Sequence, residues 1–192
     1  MIYFITSNDG KFKEAKLFLR KNYNVEIERI KGIEVPEIQS DKLEEIAEFS
    51  LNFLLQKNKA PQFVEDAGLF IEILNGFPGP YSAYVYKTIG NQGILNLLKP
   101  IRGNNEVKAY FKAVIAYYDF KNNKNVLFEG ISHGLISDRI KGDKGWGFDP
   151  IFIPIEGNGM TFAEMGIENK NKYSHRIDAL KKLGNYIKKF GV

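Results

Sequence analysis

The stretch "TSNDGK", residues 6–11, combines residue types that bind phosphate. It lies between a short apolar run and a segment with helical spacing, so backbone N–H groups and the dipole of the helix favour an anion there. Thr6 and Asn8 can donate hydrogen bonds, and Lys11 adds a full positive charge. The stretch is not a Walker A sequence, and such turns are common in α/β folds, so alone it does not identify a phosphate site.

Three acidic residues are candidates for a metal site. Glu37 follows a proline in "VPEIQSD", and Glu65 and Asp66 lie between two strand-like runs. Hard divalent cations bind carboxylate oxygens, and Mg²⁺ takes one or two of them together with substrate phosphates and water. The pattern therefore favours magnesium over zinc. Taken singly, Glu37 also fits a solvated loop acid and Asp66 a turn former.

The octapeptide "GWGFDPIF", residues 145–152, places two aromatic rings around a glycine and follows them with a carboxylate. One interpretation is a core plug beneath a glycine-rich loop. The other is a binding slot for a flat ring, in which Trp146 and Phe148 offer faces for stacking and Asp149 accepts a hydrogen bond from a ring N–H. Gly147 would keep the backbone close to the bound ring. Because the chain also contains a candidate anion loop and candidate metal-binding acids, we favour the binding slot. Only "PIF", residues 150–152, is then predicted to lie in the core.

The segment "ENKNKYSHR" gathers positive charge before the last predicted helix. Lys170, Lys172, His175 and Arg176 can receive a phosphate or contact a base edge, and Ser174 is a candidate N-cap. The alternative is a solvated basic helix start. Two histidines without cysteine, and without a suitably spaced partner motif, give little support to a Ser-His-Asp triad or a histidine zinc site.

The spacing of apolar residues predicts alternating strands and helices. Residues 2–6 are strand-like, and Phe12, Ala15 and Leu19 then recur at helical spacing. "NVEIERIKGI" predicts a second strand. Asp41, three residues before Glu44, predicts a capping box at the start of a second helix.

Later segments add strands that run in both directions. "QFVEDAGLFIEIL" predicts two strands separated by residues 65–68, and the runs around "KNNK" predict a hairpin with asparagines in the turn. From residue 174, Ile177, Leu180, Gly184 and Ile187 mark one face of a closing helix. The predicted class is α/β, with a mixed sheet flanked by helices.

Composition limits the function without choosing it. A chain of 192 residues predicts a single domain spanning residues 1–192, and the absence of cysteine excludes disulfides and thiolate metal sites. Lys and Arg number 27 against 23 Asp and Glu, which gives a formal charge of +4 that suits an anionic ligand or none in particular. With no signal-like start and no run of about 18 apolar residues, we expect a soluble, cytoplasmic protein without a membrane partner.

In this order, the stretches resemble the inosine triphosphate pyrophosphatase family, which hydrolyses aberrant purine nucleoside triphosphates. "TSNDGK" resembles the family's Thr-Gly-Asn-x-x-Lys loop, and "VPEIQ" resembles its metal-binding acid segment. "VEDAGLFIEILNGFPGPYSA" resembles its Asp-Ser-Gly-Leu and Pro-Gly-x-Tyr-Ser stretch. "GWGFDPIFIP", "TFAEM" and "KNKYSHRIDALKKL" resemble its C-terminal signature, so the resemblance covers nearly the whole chain.

The resemblance implies a twisted mixed sheet in two lobes around a central nucleotide-binding cleft, a fold related to that of the Maf-like proteins. It implies hydrolysis of ITP, dITP and XTP to the monophosphate and pyrophosphate, with Mg²⁺ as cofactor and Mn²⁺ as a substitute. The implied partners are a small-molecule nucleotide and a second copy in a homodimer, not nucleic acid.

The resemblance also assigns roles by position. Asp66 is implied as the catalytic proton acceptor and, together with Glu37, as a metal ligand. The implied substrate-binding residues are Thr6, Ser7, Asn8, Lys11, Ala67, Trp146, Gly147, Phe148, Asp149, Lys170, His175 and Arg176.

Two positions depart from the family pattern. Ala67 replaces the common serine after the catalytic aspartate, so any role of that hydroxyl must be dispensable or supplied elsewhere. Ser7 replaces the glycine of the first loop, which predicts a backbone conformation there that residues other than glycine can adopt.

Two rival functions remain at this level. A Maf-like pyrophosphatase with another base preference is the nearest enzyme, although its signature differs from "SHR" and "GFDPIF". A binding module for single-stranded nucleic acid would use the aromatic residues of one long strand, namely Tyr110, Phe111, Tyr117 and Tyr118. A half-buried sheet also explains these aromatic residues, because they alternate along a strand.

Overall fold

The computed structural model describes residues 1–103 and 105–191. The strands are β1 (Ile2–Ile5), β2 (Ile27–Ile30), β3 (Gln62–Ile71), β4 (Pro78–Gly79), β5 (Val107–Asp119), β6 (Lys124–Ile136) and β7 (Phe152–Pro154). The α-helices are α1 (Asp9–Tyr23), α2 (Leu43–Lys57), α3 (Ser82–Thr88), α4 (Gly90–Arg102), α5 (Phe162–Lys170) and α6 (His175–Phe190). Short 3₁₀ turns cover Glu72–Leu74 and Asp149–Ile151.

All seven strands belong to one sheet. Its order is β2-β1-β3-β5-β6-β7, and β4 pairs with β3 off this path. Strand β1 runs parallel to both β2 and β3, whereas β4 is antiparallel to β3 and β7 is antiparallel to β6. The predicted α/β class with a mixed sheet is therefore confirmed.

The chain divides into two compact units. The first contains Met1–Asp66, Ala113–Gly130 and the final helix from Arg176 onward. Apolar faces of its helices explain its core: Ala15 and Leu19 of α1 are fully buried, and in the sheet Phe4 stacks on Phe63 with ring centroids 4.3 Å apart. Along α6 the predicted apolar face is buried, which confirms that the basic residues of this helix lie mostly off the core.

The second unit contains Ala67–Lys112 and Ile131–His175. Its apolar cluster collects buried residues from β3, α3, α4, β5 and the segment after residue 147. Aromatic rings dominate one part of it, since Phe111 packs edge-on against Phe152 at 4.7 Å and Phe152 lies 5.0 Å from Phe162. The core reading of "PIF" is confirmed, because Ile151 and Phe152 are fully buried.

The hairpin around "KNNK" is confirmed. Strands β5 and β6 are sheet neighbours joined through residues 120–123, and Asn123 takes the left-handed conformation with φ of 51°. Asparagine tolerates this conformation better than most residues. The rings of Phe111, Tyr117 and Tyr118 are buried, so this strand does not offer the stacking surface that a single-stranded nucleic acid would need.

Two local predictions are wrong. Residues Glu65 to Gly68 do not break a strand, because β3 runs without interruption from Gln62 to Ile71. Helix α2 begins at Leu43 with Lys42 at its N-cap and no side-chain cap bond, so Asp41 does not form a capping box. Instead, Ser40 Oγ accepts from the Lys42 N–H and donates to Glu45. Because β3 is continuous, the carboxylates of Glu65 and Asp66 belong to a strand of the sheet, which fixes them more rigidly than a turn would.

Among the described residues, no helix is both long enough and apolar enough to cross a bilayer.

Candidate active site

The loop before α1 is organised as an anion-binding helix start. Asn8 caps the helix, with its side-chain oxygen accepting from the Lys11 N–H at 3.0 Å, and Thr6 Oγ1 accepts from the Asn8 N–H at 3.2 Å. These bonds fix the loop so that the first amides of the helix keep one orientation. Ser7 does not have a positive φ, which confirms that its position needs no glycine.

Lys11 is anchored to strand β3. Its ammonium donates to the Glu65 carbonyl at 3.0 Å and lies 3.5 Å from Glu65 Oε1. The side chain of Lys11 is 15% exposed, so it reaches solvent while its contacts with Glu65 restrict its conformation. A lysine held in this way keeps a positive charge beside the helix start, where a phosphate would lie.

An acid next to the loop is neutralised by two basic residues of the neighbouring strand and its exit. Asp9 Oδ1 accepts from Arg29 and, at 3.0 Å, from Lys31. Hydrogen bonds from these two residues lower the pKa of Asp9 to about 2. The sequence analysis did not predict this cluster. Arg29 and Lys31 compensate the negative charge of Asp9, which would otherwise repel an anion at the helix start.

Asp66 lies one residue along β3 from Glu65 and is partly buried. Burial raises the pKa of Asp66, Lys11 partly offsets this effect, and the negative charges of Glu65 and Glu37 raise the pKa further. Glu37 itself is an exposed loop residue. Two carboxylates that repel each other in this way would be stabilised by a divalent cation.

This donor set fits Mg²⁺. Within residues 1–103 and 105–191, no three His, Cys, Asp or Glu side chains come together as a metal-binding group. Magnesium does not need such a cage, because it takes one or two carboxylates and completes its octahedron with water and substrate phosphates. Glu37 and Asp66 would supply the pair, while the Glu65 carboxylate is engaged by cationic side chains.

Arg176 is at the centre of a buried ion-pair network. Its Nε donates to both carboxylate oxygens of Glu65 at 3.0 and 2.9 Å, and its Nη1 donates to Glu14 at 2.8 Å. Arg176 is only 1% exposed. Burial alone would lower the pKa of the guanidinium, but the two carboxylates outweigh burial and raise it. Opposite charges also hold the pKa of Glu65 below its usual value, although burial acts in the other direction.

Glu14 is a residue that sequence reasoning missed. It is buried on α1 beside Ala15 and one helical turn after Lys11, so both charged side chains share a face. The signal was present in the sequence, since an acid adjacent to a buried apolar stripe implies a cationic partner from elsewhere in the fold. That partner, Arg176, is 162 residues away, so the spacing of residues could not reveal it.

In the second unit, the loop around Trp146 is built on another buried ion pair. Lys170 Nζ donates to Asp149 Oδ2 at 2.7 Å, and both side chains are 4% exposed. The same oxygen accepts from the Trp146 N–H at 3.0 Å. Asp149 thus fixes the loop with the oxygen Oδ2, and Lys170 lies 5.5 Å from the Trp146 ring as a cation against an aromatic face.

The two rings of "GWGF" have different environments. Phe148 is only 3% exposed and belongs to the apolar cluster of this unit, whereas Trp146 is 40% exposed. The prediction that both rings present open faces must be corrected for Phe148, because burial in the core leaves little of its surface for a base. Trp146 is the ring with an accessible face.

Two further predicted residues belong to the second unit. His175 is buried and stacks on Phe111 with ring centroids 4.7 Å apart and an interplanar angle of 10°. Ala67 is a partly buried residue of β3, directly after Asp66. The structure thus assembles Thr6, Ser7, Asn8, Lys11 and Asp66 with Arg176 in the first unit. It assembles the other substrate-binding candidates, from Ala67 to His175, in the second.

Chemically, these groups divide into two kinds. The first unit offers a capped helix start, a fixed lysine and a carboxylate pair, which suit a polyphosphate with a divalent cation. The second offers an exposed indole on a rigid loop, which suits a flat base.

Comparison with known proteins agrees with this chemistry. The sequence model of the Ham1 family matches residues 2–186. A dITP/XTP pyrophosphatase of Methanopyrus kandleri is 48% identical over 187 residues, covering 97% of this chain and 96% of that protein. A dITP/XTP pyrophosphatase of Thermococcus kodakarensis is 50% identical and covers 96% of both chains.

Solved structures show the same fold. The Ham1 protein of Staphylococcus aureus superposes with a TM-score of 0.82 at 26% identity, over 98% of this chain and 99% of that one. A HAM1 protein from Coxiella burnetii gives a TM-score of 0.84 at 27% identity, with 98% of both chains covered. Sequence and fold agree over nearly the whole length, and the chain belongs to the Ham1 family.

Proposed function

We propose that the protein hydrolyses non-standard purine nucleoside triphosphates, namely ITP, dITP and XTP, to the monophosphate and pyrophosphate. The observation that carries the proposal is the group of side chains in the first unit: Lys11 is fixed on Glu65 at a capped helix start, and the charge of Glu37 contributes to raising the pKa of Asp66. Relatives of 48% and 50% identity that bear the name dITP/XTP pyrophosphatase support it. The proposed setting is the cytoplasmic nucleotide pool.

The reaction begins with neutralisation of the substrate. A triphosphate repels an incoming water oxygen unless its charge is compensated before and during attack. Lys11 and the amides at the start of α1 supply fixed compensation, and Arg29 and Lys31 keep Asp9 from opposing it. Bound Mg²⁺ would supply further charge neutralisation at the phosphates, held by Glu37 and Asp66.

Asp66 is proposed to orient the attacking water and to accept its proton. The water oxygen forms a bond to the α-phosphorus, the bond from that phosphorus to the bridging oxygen breaks, and pyrophosphate leaves with the bonding electrons. The proton passes from water to Asp66 Oδ and then to solvent. Burial raises the pKa of Asp66 in the metal-free protein, whereas a bound Mg²⁺ would lower it. Because a carboxylate that binds metal is a weak base, the main contribution of Asp66 would be to position the water.

Base selectivity is assigned to Trp146 and Arg176. Trp146 supplies a stacking face, and Arg176 is proposed as the donor toward the 6-oxo group, which adenine lacks. An amino group at that position would face a donor and leave both groups unpaired. Glu65 and Glu14 support this role because they fix the guanidinium in one orientation.

We also infer a homodimer. Exposed apolar side chains are concentrated between residues 73 and 89, where Tyr84 is 70% exposed and five further large residues exceed 38%. Large apolar side chains that gather on a surface are typical of interfaces with another chain. The five further residues are Ile73, Phe77, Tyr81, Tyr86 and Ile89.

The test of the proposed reaction is product identity. Purified protein is incubated with ITP in Mg²⁺, in Mn²⁺ and in EDTA, and pyrophosphate and orthophosphate are quantified separately. We expect equal amounts of IMP and pyrophosphate with Mg²⁺, slower release with Mn²⁺ and none with EDTA. Release of orthophosphate as the first product, or turnover that survives EDTA, would contradict the proposal.

A further inference from the structure

The loop that carries Trp146 is also held from helix α4. Asn91 Nδ2 donates to the carbonyl oxygen of Gly147 at 3.1 Å, across 56 residues of sequence. Because the partner is a carbonyl oxygen, the amide must present its nitrogen, so the orientation of the Asn91 side chain is fixed by chemistry.

The carbonyls of Trp146 and Phe148 accept hydrogen bonds from nearby residues of the same loop. The Trp146 carbonyl accepts from the Asp149 N–H at 3.3 Å, and the Phe148 carbonyl accepts from the Ile151 N–H at 3.1 Å. The Gly147 carbonyl receives its hydrogen bond from another element, namely α4. Gly147 has a φ of 64°, a conformation that favours glycine, and no atom lies within 4 Å of the place where a Cβ would stand. Asn91 is what orients this peptide between the two rings.

The element before α4 supports the same loop. Tyr86 of α3 meets Phe148 edge to face, with ring centroids 5.5 Å apart and an interplanar angle of 84°. Phe148 is thus anchored by packing, and Trp146 is anchored through Asp149. The peptide between the rings, which sets their relative orientation, depends on the amide of Asn91.

Asn91 is a poor choice for stability alone. Its Oδ1 is buried and has no hydrogen-bond partner among the described residues. Burial of an unpaired oxygen costs free energy, and an apolar side chain of similar size, such as leucine, would avoid that cost. An asparagine at this position therefore points to a use for its N–H.

We propose that Asn91 is a positioning residue for purine binding: by holding the Gly147 carbonyl it sets the face that Trp146 presents to the base. The inference rests on the proposed function, since the ligand it concerns is a purine nucleotide. Asn91 does not touch the phosphates or the attacking water in this scheme, so it affects binding of the base and leaves the chemical step unchanged.

The experiment compares Asn91→Leu with a matched control, Asn96→Leu. Asn96 lies on the exposed side of the same helix and bonds only Gln92 among the described residues. For each protein we measure thermal stability, acrylamide quenching of Trp146 without ligand, the Kd of IMP from Trp146 emission, and KM and kcat for ITP. Trp146 is the sole tryptophan, so its emission reports on this loop alone.

For Asn91→Leu we expect thermal stability close to that of wild type, because removal of the unpaired Oδ1 offsets loss of the hydrogen bond to Gly147. Trp146 quenching in the free protein should be altered. The Kd of IMP and the KM of ITP should rise roughly 3- to 10-fold, the effect of one hydrogen bond, with kcat within twofold of wild type. Asn96→Leu should match wild type in every readout of the loop. A merely structural residue would lower stability, affinity and kcat together.

Two outcomes overturn the inference while leaving the proposed function in place. One is an Asn91→Leu variant that binds IMP within twofold of wild type with unchanged Trp146 quenching. The other is a loss of affinity that follows a loss of thermal stability. If instead wild type neither binds IMP nor hydrolyses ITP, the proposed function fails, and the inference that rests on it fails too.

Discussion

Glu65 and Asp66 are adjacent carboxylates in one strand, and the structure gives them opposite electrostatic environments. Cationic partners hold the pKa of Glu65 below its usual value against the effect of burial, whereas burial and like charges raise the pKa of Asp66. Neighbouring titratable groups whose pKa values are shifted in opposite directions typically have different roles. Glu65 is a counter-ion of Arg176, and Asp66 is the residue proposed to bind metal and water.

The first prediction separates these roles. Asp66→Asn should keep its fold and lose about 10²- to 10⁴-fold in kcat for ITP, the usual contribution of a general base. The matched control is Asp138→Asn, which changes an exposed aspartate that forms only surface ion pairs and should leave turnover unchanged. Turnover of Asp66→Asn within a few fold of wild type would remove Asp66 from the catalytic role.

The second prediction concerns Arg176. Removal of its side chain leaves Glu65 and Glu14 buried without their cation, so Arg176→Ala should lose about 3–5 kcal/mol of unfolding free energy, measured in urea. The triple variant Arg176→Met, Glu65→Gln, Glu14→Gln should recover much of that loss. If Arg176→Ala unfolds like wild type, the buried network does not have the energetic importance assigned to it.

Because Arg176 also stabilises the fold, the activity of its variants must be measured at temperatures where they remain folded. Arg176→Lys keeps the charge but not the fork of donors that engages both carboxylates. If Arg176 contributes to base selection, this variant should lose discrimination between ITP and ATP at temperatures where it remains folded. Unchanged discrimination would exclude Arg176 from base selection.

At the scale of elements, a buried acid joins the β5–β6 hairpin to α6. Asp119 Oδ2 accepts from Tyr186 Oη at 2.6 Å and from Asn122 Nδ2 at 2.8 Å. Burial alone would raise the pKa of Asp119, but these hydrogen bonds outweigh it and hold the pKa below 3.8. An acid with a lowered folded-state pKa stabilises the fold above its unfolded-state pKa, and that contribution is lost as the pH falls.

The third prediction follows from this sign. Tyr186→Phe should cost about 1.5–3 kcal/mol at pH 7, where its hydroxyl donates to a charged group, and the cost should shrink as the pH falls and Asp119 becomes protonated. Tyr118→Phe is the control, since its hydroxyl donates to the neutral Asn123 of the same hairpin. Urea unfolding at pH 7 and pH 3 measures both. A cost of Tyr186→Phe that is the same at both pH values would contradict the account.

Two glycines of one loop provide the fourth prediction. A Cβ at Gly145 would lie 2.3 Å from Asp149 Oδ2, the oxygen that binds Lys170 and Trp146, whereas a Cβ at Gly147 would meet nothing within 4 Å. Both residues have a positive φ, so alanine costs about 1–2 kcal/mol of backbone strain at either position. Only Gly145→Ala should also disrupt the ion pair. Trp146 quenching by IMP should therefore fall much more for Gly145→Ala, and equal effects would refute this ranking.

The sequence was sufficient for the features that depend on neighbouring residues. Alternation and helical spacing predicted the main strands and the helices α1, α2 and α6, but not α3, α4 or α5. The hairpin followed from the asparagines of "KNNK". Its local failures have physical causes. The acidic residues of β3 were predicted to form a turn because the counter-ion of Glu65, Arg176, comes from far along the chain. At the start of α2, the side chain that accepts from the backbone is that of Ser40 and not that of Asp41.

The candidate site divides in the same manner. Loop residues such as Asn8 and Lys11 could be predicted because a strand, a short loop and a helix bring them together locally. Glu14 and Asn91 could not, since each acts through a partner 56 or more residues away. Phe148 was assigned to stacking because sequence composition cannot distinguish a ring in the core from a ring in a binding site.

At the scale of the whole molecule, assembly is the fifth prediction. Tyr84 is the most exposed large residue of the apolar group between residues 73 and 89. Light scattering after size-exclusion chromatography should give twice the chain mass of 21.9 kDa, and Tyr84→Asp should shift the species toward the monomer. Phe120→Asp, an exposed aromatic residue outside the group, is the control. A monomeric wild type would exclude the homodimer.

The central claim is hydrolysis selective for 6-oxo purines other than guanine, and substrate competition tests it most directly. We would measure kcat/KM from pyrophosphate release with Mg²⁺ for ITP, dITP, XTP, ATP, GTP and UTP. The account predicts that the first three exceed ATP and UTP by at least about tenfold, because loss of one buried polar contact costs that much. It also predicts that they exceed GTP, which keeps the 6-oxo group and differs from ITP by its 2-amino group. Equal rates for ITP and ATP, or a preference for UTP, would contradict it.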